Sequence, residues 1–162
     1  MTDLRTARLT LHPVDVAEAE RILTGRPGPG DRWAEDFPFE GDVIALQAFV
    51  GAAAVFGEPG ALGHHLVVRS ADATVVGGIG FKGPASDGCA EVGYGLVPSA
   101  RGQGFAAEAL VTLTDLARSH GLTRLLAETT PENLASRRTL TRAGFEHVGD
   151  EAGLLLHARD LS

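Results

Sequence analysis

The stretch VPSARGQGFAAEAL, Val97 to Leu110, sets two glycines behind Arg101 and runs straight into an alanine-rich helix. A strand, a glycine turn and a helix N-terminus together leave several amide N–H groups unpaired at the positive end of a helix dipole. That combination binds anions. Gly102 and Gly104 lack the side chains that would hold a phosphate off the backbone, so the turn is phosphate-shaped. A nucleoside triphosphate loop would need the longer GxxxxGK(S/T) with its lysine, and this turn has no lysine. A dinucleotide fingerprint, GxGxxG, belongs near the first strand of a doubly wound sheet. Here the pattern is R-x-x-G-x-A in mid-chain, so both nucleotide readings fit badly.

The segments that must position this turn show in their periodicity. ARLTLHP alternates Leu9 and Leu11 against Thr10 and His12 and stops at Pro13, as a short strand does. Asp15 to Leu23 reads as a helix with an acidic N-cap. After a Gly/Pro loop, Ala45, Phe49, Ala52 and Phe56 recur at helical spacing and predict a second helix closed by Gly57. HHLVVRS and TVVGGIGFKG, separated by ADA, read as a hairpin, and CAEVGYGLV extends it into an antiparallel meander. Gly93 and Gly95 inside that strand mark a bulge or a close backbone approach.

The helix opened by the turn carries Ala106, Leu110, Leu113 and Ala117 on one face and ends in the basic ARSHG. As a crossover it makes the following strand, LTRLLAETT, parallel to the preceding one. A shorter helix, Leu134 to Ala143, ends at Gly144 with Phe145 placed for a Schellman contact, and FEHVG and LLLHARDL supply two last strands. The fold class is α/β (mixed α+β): a central mixed, mostly antiparallel sheet of six to seven strands flanked by helices on both sides.

Composition bounds the function. The 162 residues fit one domain, 1–162, with 44% hydrophobic and 22% charged residues and no apolar run of membrane-spanning length. A net charge of -7 argues against nucleic acid as a partner and suits a cationic one such as an amine. Cys89 is the only cysteine, which excludes an internal disulfide and any cysteine-based metal site. MTDLRTARLTLHPVD has no secretory character, so the expected location is cytoplasmic.

EVGYGLVPSARGQGFAAEAL resembles the central segment of the GCN5-related N-acetyltransferases (GNAT). ENLASRRTLTRAGFEHVG is similar to that family's carboxy-terminal segment and TARLTLHPVDVAEAERIL to its amino end, most like the ribosomal-protein-alanine N-acetyltransferase branch. R-x-x-G-x-A alone is a weak motif; in order with GY, a proline, ENLAS and AGFE it is a strong one. The resemblance implies an enzyme moving acetyl from acetyl coenzyme A (acetyl-CoA) to a primary amine by direct attack in a ternary complex, without metal. It also implies that the turn's amides, here Arg101, Gly102, Gln103, Gly104, Phe105 and Ala106, cradle the pyrophosphate. The backbone at Leu96 and Val97 would pair with the pantetheine arm, and Asn133 would contact it.

Acetyl transfer to an amine needs two proton events, and the resemblance offers a residue for each. A base must strip the ammonium before attack. Glu91, two residues before Gly93 and on its face of the strand, matches a position where the family often places a carboxylate; the other reading is a solvated residue or salt-bridge partner. The departing thiolate must regain a proton. Many family members carry a tyrosine seven residues after the asparagine, but that position is Leu140, and the only tyrosine is Tyr94. Ser136 is the remaining donor candidate, and it reads equally as a cofactor contact or a helix cap.

The acceptor is less defined. RPGPGDRWAEDFPF occupies the stretch that in the family often walls the substrate cleft, so Trp33, Phe37 and Phe39 line it or anchor the loop, and Asp31, Glu35 and Asp36 suit a cation. His64 and His65 lack metal-ligand spacing and read as solvated. Arg137 and Arg138 read as an exposed helix face or as contacts to the adenosine phosphates. The resemblance is also compatible with a homodimer. The absent tyrosine also motivates an alternative, a non-catalytic acyl-CoA-binding or sensing domain of the same fold.

Overall fold

A computed structural model describes residues 1–162. Its elements are β1 (Leu4–Arg5), β2 (Leu9–Pro13), α1 (Val16–Leu23), α2 (Glu40–Phe56), β3 (His64–Arg69), β4 (Thr74–Phe81), β5 (Cys89–Leu96), α3 (Phe105–Ser119), β6 (Arg124–Thr129), α4 (Leu134–Arg142), β7 (Glu146–Glu151) and β8 (Leu154–Asp160). One sheet of eight strands has the order β1-β2-β3-β4-β5-β6-β8-β7. The strand beyond the expected six to seven is β1, whose two residues pair with Leu11 and Thr10 and are too few to show any periodicity.

Every neighbouring pair is antiparallel except β5 and β6, which α3 joins as a parallel crossover. Here β5 changes partner. It pairs with β4 from Val92 to Leu96 but with β6 only from Cys89 to Glu91. Beyond Glu91 the two parallel strands diverge, and the resulting split opens just before the glycine turn.

Local caps fix the helices on either side of that split. Asp15 caps α1 by accepting from the Glu18 N–H at 2.8 Å. At the end of α4, the Phe145 N–H donates to Leu140 O at 2.9 Å and the Gly144 N–H to Thr141 O at 3.1 Å. This is the expected Schellman geometry, and it buries Phe145 beside Leu140 in the core. Packing then sorts the helices: α1 lies on α2, α2 on β4, and α3 on β2, β4 and β5 with α4 alongside. From Val43 to Phe56, α2 carries no charged residue, and it leaves Ile44, Val55 and Phe56 exposed.

The histidines that begin β3 are not solvated as their sequence suggests. His64 and His65 are 8% and 1% exposed, because β3 lies inside the sheet between β2 and β4.

Candidate active site

The turn between β5 and α3 has the geometry of an anion cradle. Gly102 and Gly104 adopt φ of +82° and +79°, a region open mainly to glycine. Gly104 is the N-cap of α3 and supplies no side-chain cap, so the first amides of the helix face outward without one. Cations gather around them. The Arg8 Nη1 donates to Gln103 O at 2.8 Å, Nε donates to Glu108 Oε1 at 2.9 Å, and the guanidinium lies 4.6 Å from the Phe105 ring centre. A Cβ at Gly104 would stand 3.5 Å from Arg8 Nη2 and 3.8 Å from Arg142 Nη1. Neither arginine belongs to the sequence motif; each reaches the turn through the tertiary fold.

Next to the turn, the split presents unpaired backbone. Val97 is fully engaged: its N–H donates to Val76 O at 2.9 Å and its carbonyl accepts from the Ala100 N–H at 3.0 Å. By strand alternation the amides facing the split are those of Tyr94 and Leu96, so an added strand would pair there rather than at Val97. Leu96 O already accepts from Arg101 Nε at 2.9 Å, and the Arg101 guanidinium lies 5.4 Å from the Phe39 ring centre.

Across the split, α4 meets β5 through one side-chain contact. The Tyr94 hydroxyl shares a 2.8 Å hydrogen bond with Ser136 Oγ and donates to Ser136 O at 3.2 Å. The helix cap is Asn133, whose Oδ1 accepts from the Ser136 N–H at 3.1 Å. Ser136 therefore does not cap α4, and its hydroxyl bonds Tyr94 at the split instead. Burial raises the Tyr94 phenol above its ordinary range, keeping it protonated at neutral pH. Leu140, at the family's usual tyrosine position, is fully buried.

Between α2 and the sheet lies a cavity of about 500 Å³. Its floor is the glycine face of β4 and β5, Gly78, Gly80, Gly93 and Gly95, where missing side chains leave room under α2. Ala45, Ala48, Ala52 and Phe56 form an apolar wall, and Tyr94 and Ser136 connect the cavity to the split. Asp42, His64, Lys82 and Glu128 are polar groups lining it.

Glu91 does not line this cavity; its carboxylate pairs with Lys82 Nζ at 3.3 Å. Of the loop aromatics only Phe39 reaches the cavity, while Trp33 and Phe37 pack edge to face at 5.4 Å against the core. The loop acids are occupied as well. Asp31 pairs with Arg21, and Asp36 accepts from the Ser99 N–H at 2.8 Å and Oγ at 2.7 Å. Arg137 Nη1 donates to Pro131 O at 3.2 Å and so braces the start of α4.

Two residues of this site escaped the sequence reading. Asp42 is 3% exposed, and its Oδ2 accepts from the Phe39 N–H at 3.1 Å. In sequence it looks like an ordinary acidic residue in a helix's first turn. His64 reads in sequence as a solvated strand residue, and only the long-range pairing of β3 turns it into a cavity wall.

This arrangement belongs to a known class. Residues 8–146 match the family described as the acetyltransferase (GNAT) domain, and the chain belongs to that acetyltransferase family. No curated protein matches the chain. Among solved structures it is similar to an acetyltransferase from Agrobacterium tumefaciens, at 24% identity and TM-score 0.66 over 98% of this chain and 94% of that one. RimJ from Mycobacterium smegmatis, solved with CoA-disulfide, is 23% identical with TM-score 0.65 over 94% and 81%. Ribosomal-protein-S5-alanine acetyltransferase from Vibrio fischeri is 18% identical with TM-score 0.66 over 99% and 97%. At these identities the structural likeness bears on the fold. No helix of the chain is long and apolar enough to cross a membrane.

Proposed function

We propose that this protein transfers the acetyl group of acetyl-CoA to a primary amine by direct attack in a ternary complex. The observation that carries the reading is the split between β5 and β6, which connects an uncapped glycine turn ringed by arginines to a cavity with acidic groups. The M. smegmatis relative, solved with CoA-disulfide, supports coenzyme A as the ligand.

In this reading the amides from Gly102 to Ala106 hold the pyrophosphate, the Arg101 N–H being taken by Pro98 O at 3.3 Å, and Arg8 and Arg142 add charge beside them. The Tyr94 and Leu96 amides pair with the pantetheine arm as an added strand does, and one of them polarises the thioester carbonyl. Asn133 shapes this contact by capping α4 and fixing Ser136. The Tyr94 hydroxyl, positioned by Ser136, returns a proton to the thiolate, a donor that Leu140 cannot supply. The Lys82 ion pair and the position outside the cavity favour the salt-bridge reading of Glu91 over the base. The amine enters from the α2 side.

Release of free thiol from acetyl-CoA tests the reading, measured with and without each of a set of primary amines. Amine-dependent thiol release with stoichiometric acetylamide in the mass spectrum is expected. Tight acetyl-CoA binding without turnover on any amine would move the protein to the sensing alternative.

A further inference from the structure

The proposed transfer leaves open what takes the proton from the ammonium and what kind of amine is accepted. Glu91 lies outside the cavity, whereas one carboxylate lies buried within it. Asp42 uses Oδ2 to accept from the Phe39 N–H, while Oδ1 sits above Gly78, where a Cβ would be 3.6 Å from it. The same Cβ would be 2.5 Å from His64 Nε2, so carboxylate and imidazole converge on one point of the cavity floor. No cation pairs with Asp42 and no hydrogen bond holds the His64 ring, although His64 is 92% buried by its 8% exposure. Two buried polar side chains without full partners therefore face the same space.

The remaining wall fixes the chemistry of what enters. The α2 face over this point is Ala45, Ala48, Phe49, Ala52 and Phe56, with no charged side chain. Such a surface is favourable only against an apolar body. Asp42, Glu58 and Glu128 against the single Lys82 complement a cation.

We propose that Asp42 is the base that takes the ammonium proton, with His64 orienting the nitrogen, and that the acceptor is a primary amine on an apolar stem lying along α2. This rests on the acetyl-transfer reading above. The ammonium gives one proton to the Asp42 carboxylate, and the neutral nitrogen attacks the thioester carbonyl carbon. The C–N bond forms, the C–S bond breaks and sulfur leaves with the electron pair. The second nitrogen proton ends on that thiolate through Tyr94, and Asp42 later releases its own proton to water. Burial pushes Asp42 up to about 7, which matches a base working at neutral pH, and pushes His64 down to about 4, which keeps it neutral. The other charges felt by Asp42 are Arg101, which opposes the rise, and Asp36, which adds to it.

The test is thiol release from acetyl-CoA with hexylamine and 2-phenylethylamine against ethanolamine and putrescine, for the wild type, Asp42→Asn and Glu91→Gln. Asparagine retains an oxygen for the Phe39 N–H, so the α2 cap survives. The expected result is a preference for the apolar amines and a kcat about 100-fold lower in Asp42→Asn at pH 7, a loss that shrinks as rising pH deprotonates the amine itself. Glu91→Gln should stay within about threefold, and the Kd for acetyl-CoA should be unchanged in both variants. Activity retained in Asp42→Asn, whatever Glu91→Gln does, overturns the inference, as does preference for ethanolamine or putrescine, or acetyl-CoA binding with no turnover of either apolar amine. Failure of the wild type to bind acetyl-CoA overturns the acetyl-transfer reading itself and the inference with it.

Discussion

The Tyr94 hydroxyl and Ser136 Oγ, 2.8 Å apart, tie β5 to α4 across the split where the parallel strands separate. If this pair returns the proton to the thiolate, Tyr94→Phe lowers kcat by about 10- to 100-fold while the acetyl-CoA Kd stays within about twofold. Ser136→Ala keeps the phenol and loses less. A Tyr94→Phe enzyme with normal kcat would show that the thiolate leaves unaided.

Asp42 gives a stability signature with a definite sign. Its folded-state value of about 7 lies above the ordinary 3.8, so the folded chain binds this proton more tightly than the unfolded chain. Its contribution therefore declines as pH rises from about 4 to about 7. His64 acts oppositely. Pushed down to about 4 from 6.5, it costs stability as pH falls through that interval. Asp42→Asn removes only the first effect, so denaturant titrations at about pH 8 should show a variant more stable by ~2–4 kcal/mol, converging with the wild type near pH 4.

Arg8 joins β2 to α3 and borders the glycine turn. Its ion pair with Glu108 is partly exposed, so Arg8→Ala should cost no more than about 1 kcal/mol of stability. Acetyl-CoA affinity should fall further, by about 5- to 20-fold, with a weaker dependence on salt than in the wild type. Equal affinity across a salt series would remove Arg8 from the phosphate site.

The cavity floor separates binding from folding at two neighbouring glycines. A Cβ at Gly78 would meet the His64 ring at 2.5 Å, whereas one at Gly80 would meet Gly63 O at 2.6 Å and the His64 Cα at 2.8 Å. Gly80→Ala therefore pushes on backbone and should destabilise by about 1–3 kcal/mol. Gly78→Ala instead crowds the His64 ring, and should raise the amine KM with little change in acetyl-CoA Kd, as steady-state kinetics and calorimetry would show.

Much of this fold follows from local pattern, while the site's electrostatics do not. The crossover helix was legible because Ala106, Leu110, Leu113 and Ala117 repeat at helical spacing, and α4 ended where Gly144 and Phe145 said it would. The glycine turn showed itself for the same reason: its function is carried by consecutive backbone amides. Arg8 and Arg142 reach that turn from β2 and α4, and no spacing rule links such positions. Asp42 was hidden because a first-turn acid is normally a solvated helix-dipole partner; only α2 closing over Gly78 makes it a buried carboxylate. Alternation placed Glu91 on the face of Gly93 but could not show that the cavity stops short of it.

The central claim is that the turn at Gly104 holds the pyrophosphate of acetyl-CoA. Calorimetric titration of the wild type and of Gly104→Glu tests it most directly, since glutamate places a carboxylate where the phosphates would lie. The account predicts saturable one-to-one binding in the wild type, abolished in Gly104→Glu while the variant's thermal unfolding remains cooperative. Absence of binding in the wild type, or undiminished affinity in the folded variant, would contradict it.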